Sequence, residues 1–340
     1  MNAPVAELTI KDFASDQEVR WCPGCGDYAI LKTVQKTLPE LGVARENQVF
    51  VSGIGCSSRF PYYMNTCGFH TIHGRAPSFA TGIKLANPDL DVWVITGDGD
   101  GLSIGGNHMV HLLRRNVNLQ LLLFNNEIYG LTKGQYSPTS KVGTSSPSTP
   151  HGSIDMPLKP CSFALGCGAK FVARSIDTEA KHLGPMLKRA HSYKGASFVE
   201  IYQNCPVYND GIFDQIKEKK TAAETRLVLE HGKPLTFGAE LNKGLRLNSK
   251  TLSLEIVVLG EGGVSIEDIV VHDETNKVLA QLLANLKLPD FPEPIGVLYC
   301  DPSAPDFTGE VYDQRTVVRE NKEKPDLNAL LRTGHTWTVE

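Results

Sequence analysis

The sequence predicts an α/β protein, a parallel sheet with helices on both faces, and two observations carry that prediction. Short apolar runs at 48–52, 91–96, 117–124, 169–174 and 197–202 alternate with helical stretches near 27–38, 77–86, 103–115 and 178–191, the pattern of repeated strand–helix units. Several of these runs end in glycine, cysteine, aspartate or asparagine, and in a parallel sheet the C-terminal strand ends gather around one crevice. The length of 340 residues permits one large or two ordinary domains. We expect a unit over 1–210 and a C-terminal extension over 211–340 that packs on a partner.

Taken in order, Val49 to Ser52 leads into Gly55-Cys56-Ser57, and Val92-Trp93-Val94-Ile95 leads into Gly97-Asp98-Gly99-Asp100-Gly101. Ser103 to Arg115 reads as a helix whose N-terminus favours an anion. Leu119 to Phe124 ends at Asn125-Asn126, and Phe198 to Tyr202 precedes Asn204-Cys205-Pro206. Residues 136–160, rich in Ser, Thr, Pro and Gly, form a long loop of the kind that is often functional or mobile. Beyond Pro206 the pattern weakens: Lys217 to Lys220 is a solvated charged run, and Leu252 to Leu259 is one further candidate strand.

Composition excludes several classes. A net charge of -4 gives no basic footprint for nucleic acid. Eight cysteines are too few for a disulfide scaffold, Met1 to Asp16 has no apolar signal-peptide core, and no run approaches the ~18 apolar residues of a membrane span. The expectation is a cytoplasmic chain with reduced thiols and no membrane contact.

Asp98 and Asn126 suit a metal ion and a diphosphate held together. Magnesium takes about six oxygens, usually one or two carboxylates plus substrate phosphates. The Asp98 carboxylate, the Asn126 amide oxygen and the Ile128 carbonyl would supply the protein side, while Gly97, Gly99 and Gly101 let backbone approach phosphate oxygens. GDG followed 28 residues later by the second Asn of NN resembles the thiamine diphosphate signature. GxxxxGK[ST] is absent, and the glycines here fail GxGxxG.

Cys22-Pro23-Gly24-Cys25 is redox-active, zinc-binding or cluster-binding on its own pattern. There is little strand signal before it, against a thioredoxin-like dithiol, and no second C-x-x-C roughly 15–20 residues later, against a zinc ribbon. Cys56 and Cys205 each sit past a strand end, so four thiolates can meet with the scattered spacing that an iron–sulfur cluster tolerates. Zinc stays open, because cysteine alone does not fix the metal. Cys67, Cys161, Cys167 and Cys300 read as small packing residues, with Cys161 and Cys167 the competing pair to test.

Trp21-Cys22-Pro23-Gly24-Cys25-Gly26, Gly53-Ile54-Gly55-Cys56-Ser57, His73-Gly74-Arg75, the GDGDG-to-NN span and Asn204-Cys205-Pro206 together resemble the beta subunits of 2-oxoacid:ferredoxin oxidoreductases, over about Gln17 to Asp210. Gly55 to Tyr63 is most similar to the 2-oxoglutarate branch. The resemblance implies the diphosphate-binding half of a thiamine diphosphate fold. It implies Cys22, Cys25, Cys56 and Cys205 as ligands of one 4Fe-4S cluster, and Asp98, Asn126 and Ile128 at magnesium. Ile54, Gly55, Cys56, Ser57 and His73 are implied thiamine contacts, with Gly97, Gly99, Asp100, Gly130 and Leu131 toward the diphosphate. The implied reaction is reversible, coenzyme A-dependent oxidative decarboxylation of 2-oxoglutarate to succinyl-CoA and CO2, with electrons passed to ferredoxin. His73 is expected to bond a diphosphate or substrate oxygen, and Arg59 to clamp a substrate carboxylate.

No segment matches the family's pyrimidine-binding half, which in that family lies on a separate alpha subunit. An alpha–beta heterodimer, or a dimer of such pairs, is therefore expected. Rival readings are a pyruvate or branched-chain 2-oxoacid enzyme of the same family, a zinc-bound non-catalytic assembly subunit, and a non-redox thiamine decarboxylase. The last carries both thiamine-binding halves on one chain and needs no four cysteines.

Overall fold

In the computed structural model residues 8–320 and 326–339 are described; residues 1–7, part of the stretch read for a signal peptide, lie outside them. The first part of the chain folds as β1 Gln48–Ser52, β2 Cys67–His70, β3 Asp91–Gly97, β4 Leu119–Asn125, β5 Phe171–Ile176 and β6 Ala196–Tyr202. Between these lie α1 Asp27–Thr37, α2 Ala76–Ala86, α3 Asp98–Leu102, α4 Gly106–Arg115, α5 Pro160–Gly166 and α6 Ala180–Ser192. The rest adds β7 Arg226–Leu229, β8 Thr236–Phe237, β9 Lys243–Asn248, β10 Ser253–Val258 and β11 Glu293–Cys300.

Every residue of β1, β4, β5 and β6 is buried, as befits strands covered on both faces. Side chains alternate between two cores. Val49, Val51, Val92, Val94, Leu121 and Leu123 face α2 and α4 through Ala80, Met109, Leu112 and Leu113. Phe50, Trp93, Ile95, Leu122 and Phe124 face α1 and α6 through Ile30, Val34, Leu183 and Leu187. Each such side chain contributes roughly 1.5–3 kcal/mol on burial. A single-residue slip in register would exchange the two faces.

The main sheet has eight strands in the order β2-β1-β3-β4-β6-β5-β11-β7. All its pairings are parallel except that of β11 with β5. From β1 the chain moves outward to the edge strand β2, and from β3 it moves the other way to β4. The turns after β1 and β3 therefore diverge and leave a crevice between them.

Two expectations are adjusted. The helix expected from Ser103 begins at Gly106, and a separate turn of helix, Asp98–Leu102, precedes it with Gly97 as N-cap. Gly105 N donates to Asp100 O at 3.0 Å and closes the step between the two. The expected anion-favouring helix start at Ser103 is therefore absent, and Asp98 itself opens the shorter helix. The sheet also does not end near residue 210. β11 inserts beside β5 and β7 pairs with β11, while β8, β9 and β10 form a small antiparallel sheet that accounts for the strand expected at 252–259. Among the described residues, no helix is long and apolar enough to cross a membrane.

Candidate active site

A cavity of about 370 Å3 opens where β1, β3, β4 and β6 end. The turn after β1 supplies Ile54, Gly55, Cys56 and Ser57, with Gly55 at φ +126, a conformation that favours glycine. The turn after β3 supplies Gly97, Asp98, Gly99 and Asp100; the loop after β4 supplies Asn126, Ile128, Gly130 and Leu131; His73 comes from the loop after β2. Thus the strand ends bring together nearly all of the thiamine and magnesium positions named from the sequence.

Asp98 is buried, and its Oδ2 accepts from Ser137 Oγ at 2.5 Å and Thr139 Oγ1 at 2.6 Å. Burial raises its pKa to about 6, and the two hydroxyls pull the other way. The 136–160 loop is thus pinned to the site by its hydroxyl groups, Ser140 Oγ adding a bond of 2.5 Å to Glu127 O.

Asp100 is held differently. Its Oδ1 accepts from Gly74 N at 2.7 Å and its Oδ2 from Thr96 Oγ1 at 2.9 Å. Both carboxylate oxygens serve the protein, tying the His73-Gly74 loop to the β3 turn. Gly53 is required beneath it, since a Cβ there would stand 1.9 Å from Asp100 Oδ2. Gly99 is required for another reason: its Cβ would lie 2.3 Å from the ring of Tyr129, whose hydroxyl donates to Gly99 O at 2.9 Å.

The cysteines adjoin the same cavity. Cys56 lines it, and a Cβ added at Gly130 would sit 3.5 Å from Cys205 Sγ and 3.6 Å from Cys56 Sγ. Burial first, then the charge of Asp27, raises the Cys25 thiol pKa and lifts that of Cys56 to about 12; Cys205 raises both, and Cys22 also raises Cys56. Trp21 Nε1 donates to Cys56 O at 2.7 Å and fixes that turn. The Cys205 loop is anchored by Asn204 N to Asp177 Oδ2 at 2.9 Å and by Asn209 Nδ2 to Asn126 O at 2.9 Å. Among the described residues, no group of three or more His, Cys, Asp or Glu side chains could hold a single metal ion. A four-iron cluster asks for another arrangement, with one thiolate at each iron and the four sulfurs spread around it. Cys161 and Cys167 are no competitors, because Cys161 is buried against Glu200, with Sγ donating to Oε2 at 3.0 Å.

Arg59 does not line this cavity. It lines a second one of about 510 Å3 with Arg20, Tyr62 and His70; Ile54, Gly55 and Leu131 line both, and the Arg59 charge lowers the Cys56 thiol pKa against burial. Sequence reasoning missed Asp27, Tyr129 and Gln203, which also line the main cavity. Asp27 is 1% exposed, among the described residues neither carboxylate oxygen has a well-formed hydrogen bond, and burial raises its pKa to about 7 against the opposing pull of the Cys25 thiol. Its place two residues after Cys25, and that of Gln203 two before Cys205, were the available signals.

A doubly covered parallel sheet with a glycine–aspartate turn and an asparagine loop around one crevice defines the thiamine diphosphate class of enzyme. Residues 53–201 match the C-terminal TPP-binding domain of thiamine pyrophosphate enzymes. The chain is 50% identical to the 2-oxoglutarate oxidoreductase subunit KorB of Mycobacterium tuberculosis, over 97% of this chain and 88% of that one. It is 47% identical to the 2-oxoacid:ferredoxin oxidoreductase subunit beta of Saccharolobus solfataricus, over 56% of this chain and 63% of that one. Among solved structures it is similar to a 2-oxoglutarate:ferredoxin oxidoreductase from Magnetococcus marinus with 2-oxoglutarate, coenzyme A and succinyl-CoA bound. The TM-score is 0.77 at 32% identity, covering 98% of both chains. This chain belongs to the 2-oxoacid:ferredoxin oxidoreductase family, among its beta subunits.

Proposed function

We propose that the chain is the beta subunit of a 2-oxoglutarate:ferredoxin oxidoreductase. The reaction takes 2-oxoglutarate, coenzyme A and two oxidised ferredoxins to succinyl-CoA, CO2, two reduced ferredoxins and a proton, and runs in either direction. The observation that carries this reading is the convergence of the Asp98–Asn126 pair and the Cys56–Cys205 pair on one cavity. A thiamine enzyme without electron transfer has no use for the second pair.

The residues fit the implied groups. Asp98, Asn126 and the Ile128 carbonyl would hold magnesium, and the glycine turns after β1 and β3 would hold thiamine diphosphate. Cys22, Cys25, Cys56 and Cys205 would hold a 4Fe-4S cluster, with the bare Gly130 leaving room between two of the thiols. When bound, thiamine diphosphate supplies the electron sink for decarboxylation and the cluster a one-electron acceptor. The protein's part is positional and electrostatic. Ser137 and Thr139 orient the Asp98 carboxylate, Tyr129 props the Gly99 turn, and Asp100 holds His73 at the cavity wall. Arg59, in the neighbouring cavity that shares Leu131, offers a guanidinium without an ion-pair partner among the described residues for a second carboxylate, the feature that separates 2-oxoglutarate from pyruvate.

The pyrimidine side of the cofactor and the glutamate that activates it are assigned to an alpha subunit. Ile104 and Leu131 line the cavity while exposing 64% and 46% of their surface, apolar groups suited to a covering chain. Residues 211–340 would pack on that partner beyond the strands they give to the sheet, in a heterodimer or a dimer of heterodimers. Ferredoxin would dock nearest the exposed Cys22. The test is anaerobic viologen reduction by the chain co-purified with its alpha partner, with coenzyme A present. A rate confined to 2-oxoglutarate is expected; a pyruvate rate moves the substrate, and no rate from a loaded complex overturns the reading.

A further inference from the structure

The side chain of Gln203 spans the two sets of residues assigned to the cofactors. It is 1% exposed and lines the cavity just past β6, where its backbone N donates to Asn125 O at 2.9 Å. Its Oε1 accepts from Asn126 Nδ2 at 2.7 Å. Its Nε2 donates to Cys25 Sγ at 3.2 Å and to Asn204 O at 2.6 Å. One amide thus bonds a residue of the magnesium set at one end and a residue of the cluster set at the other.

We infer that Gln203 is a positioning residue that orients Asn126 toward the metal and, through the same amide, sets the electron affinity of the cluster at Cys25. The inference rests on the reading above for the identity of the two groups. Holding Nδ2 of Asn126 keeps the amide nitrogen turned from the cation, while Asn126 Oδ1, which accepts from Ile128 N at 3.2 Å, keeps a second lone pair for it. An N–H donor on a ligand thiolate stabilises the more negative, reduced cluster, and hydrogen bonds to sulfur are among the levers that set cluster potential. The geometry is also selective for glutamine. Glutamate would keep an acceptor for Asn126 but present an oxygen, not a donor, to Cys25; methionine would fill the space and serve neither end.

Those two variants separate the two roles. In the anaerobic holo-complex, the cluster potential is read by redox titration of its electron paramagnetic resonance signal, and metal affinity by back-titration of magnesium and thiamine diphosphate into the stripped complex. Iron content and melting temperature confirm that each variant is folded and loaded. Gln203→Glu is expected to lower the ratio of reduced to oxidised cluster at fixed ambient potential about tenfold, equivalent to about 59 mV for one electron, with magnesium affinity held. Gln203→Met is expected to show a fall in the same direction and to weaken magnesium binding about 10- to 100-fold. Wild-type potential in Gln203→Glu overturns the sulfur arm, and wild-type magnesium affinity in Gln203→Met overturns the metal arm. A wild-type complex that carries no iron would instead sink the cofactor assignment itself; should Gln203→Met fail to load, Gln203→Glu still decides the sulfur arm and the magnesium titration is made on Gln203→Leu, which likewise holds neither end.

Discussion

At the β5–β11 side of the sheet, Arg174 lies 2% exposed between two buried carboxylates, its Nε 2.8 Å from Glu200 Oε2 and its Nη1 2.7 Å from Glu293 Oε1. Tyr202 adds its hydroxyl to Glu293 at 2.6 Å and lies under the guanidinium at 5.2 Å. At the crevice, Asp27 is as deeply buried, yet among the described residues neither carboxylate oxygen has a well-formed hydrogen bond, the Cys25 thiol alone pulling its pKa down against burial. The same sheet therefore buries charge in two ways. On one side every charge is answered by the protein, which locks a distant segment into place. On the other a carboxyl group, its pKa lifted to about 7 by burial, is left with little support beside the cysteines, the mark of a region arranged for a ligand.

The contrast can be broken in four places. Cys205→Ser should have the largest effect on function and little on the fold: the co-purified complex is expected to lose iron and ferredoxin reduction together, while unfolding free energy changes by no more than about 1 kcal/mol. Iron analysis beside a denaturant melt checks both, and a large stability loss with iron retained would mean that the thiol belongs to the core.

Arg174→Leu is the mirror image. It strands two buried carboxylates and is expected to cost about 3–5 kcal/mol, read as a lower urea midpoint. An unchanged midpoint would remove the distinction between the two sides.

Gly99→Ala drives a methyl into the Tyr129 ring and is expected to cost about 1–3 kcal/mol. Thiamine diphosphate titration should show weakened binding, whereas binding at wild-type strength would show that the Tyr129–Gly99 contact is not needed to shape the turn.

His272 gives the smallest effect. It is buried with Nε2 2.8 Å from Val297 O and Nδ1 without a partner among the described residues, and burial, the largest cause, holds its pKa below the ordinary histidine value. The unfolded chain therefore takes up this proton first, and stability contributed by neutral His272 is lost as pH falls below about 6.5. Unfolding of His272→Gln at pH 5.5 and 7.5 should show a shallower pH slope than wild type; an equal slope would assign the acid sensitivity to other groups.

Much of the molecule was legible in the sequence, for identifiable reasons. Fully buried parallel strands read as mostly apolar runs, even where β5 and β6 carry Arg174 and Glu200, so β1, β3, β4, β5 and β6 were placed nearly to the residue. β2 was invisible because Cys67-Gly68-Phe69-His70 is an exposed four-residue edge without a run. β11, Glu293-Pro294-Ile295-Gly296 onward, hides its pairing behind a proline and Glu293, whose partners Arg174 and Tyr202 lie far away in sequence. The chemical motifs were legible because short spacings fix them locally. Asp27 and Gln203 were not, since their meaning depends on a cavity that only the folded chain creates. Arg59 was read for its chemistry but not for its place in a neighbouring cavity that shares Leu131 with the first.

The insertion of β11 has a consequence for how the protein comes into being. Arg174 and Glu293, in direct contact, are 119 positions apart, so a nascent chain that has released every residue of the crevice still lacks the strand that covers β5. Long-range pairing of this kind is slow and leaves strand edges exposed while it waits. A chain stopped at residue 210 would carry the cysteines and both cofactor turns, yet with β5 left as a bare edge and Arg174 without Glu293 it is expected to aggregate on expression. Recovery of a soluble, folded 1–210 fragment would show that the crevice matures before the last strand arrives.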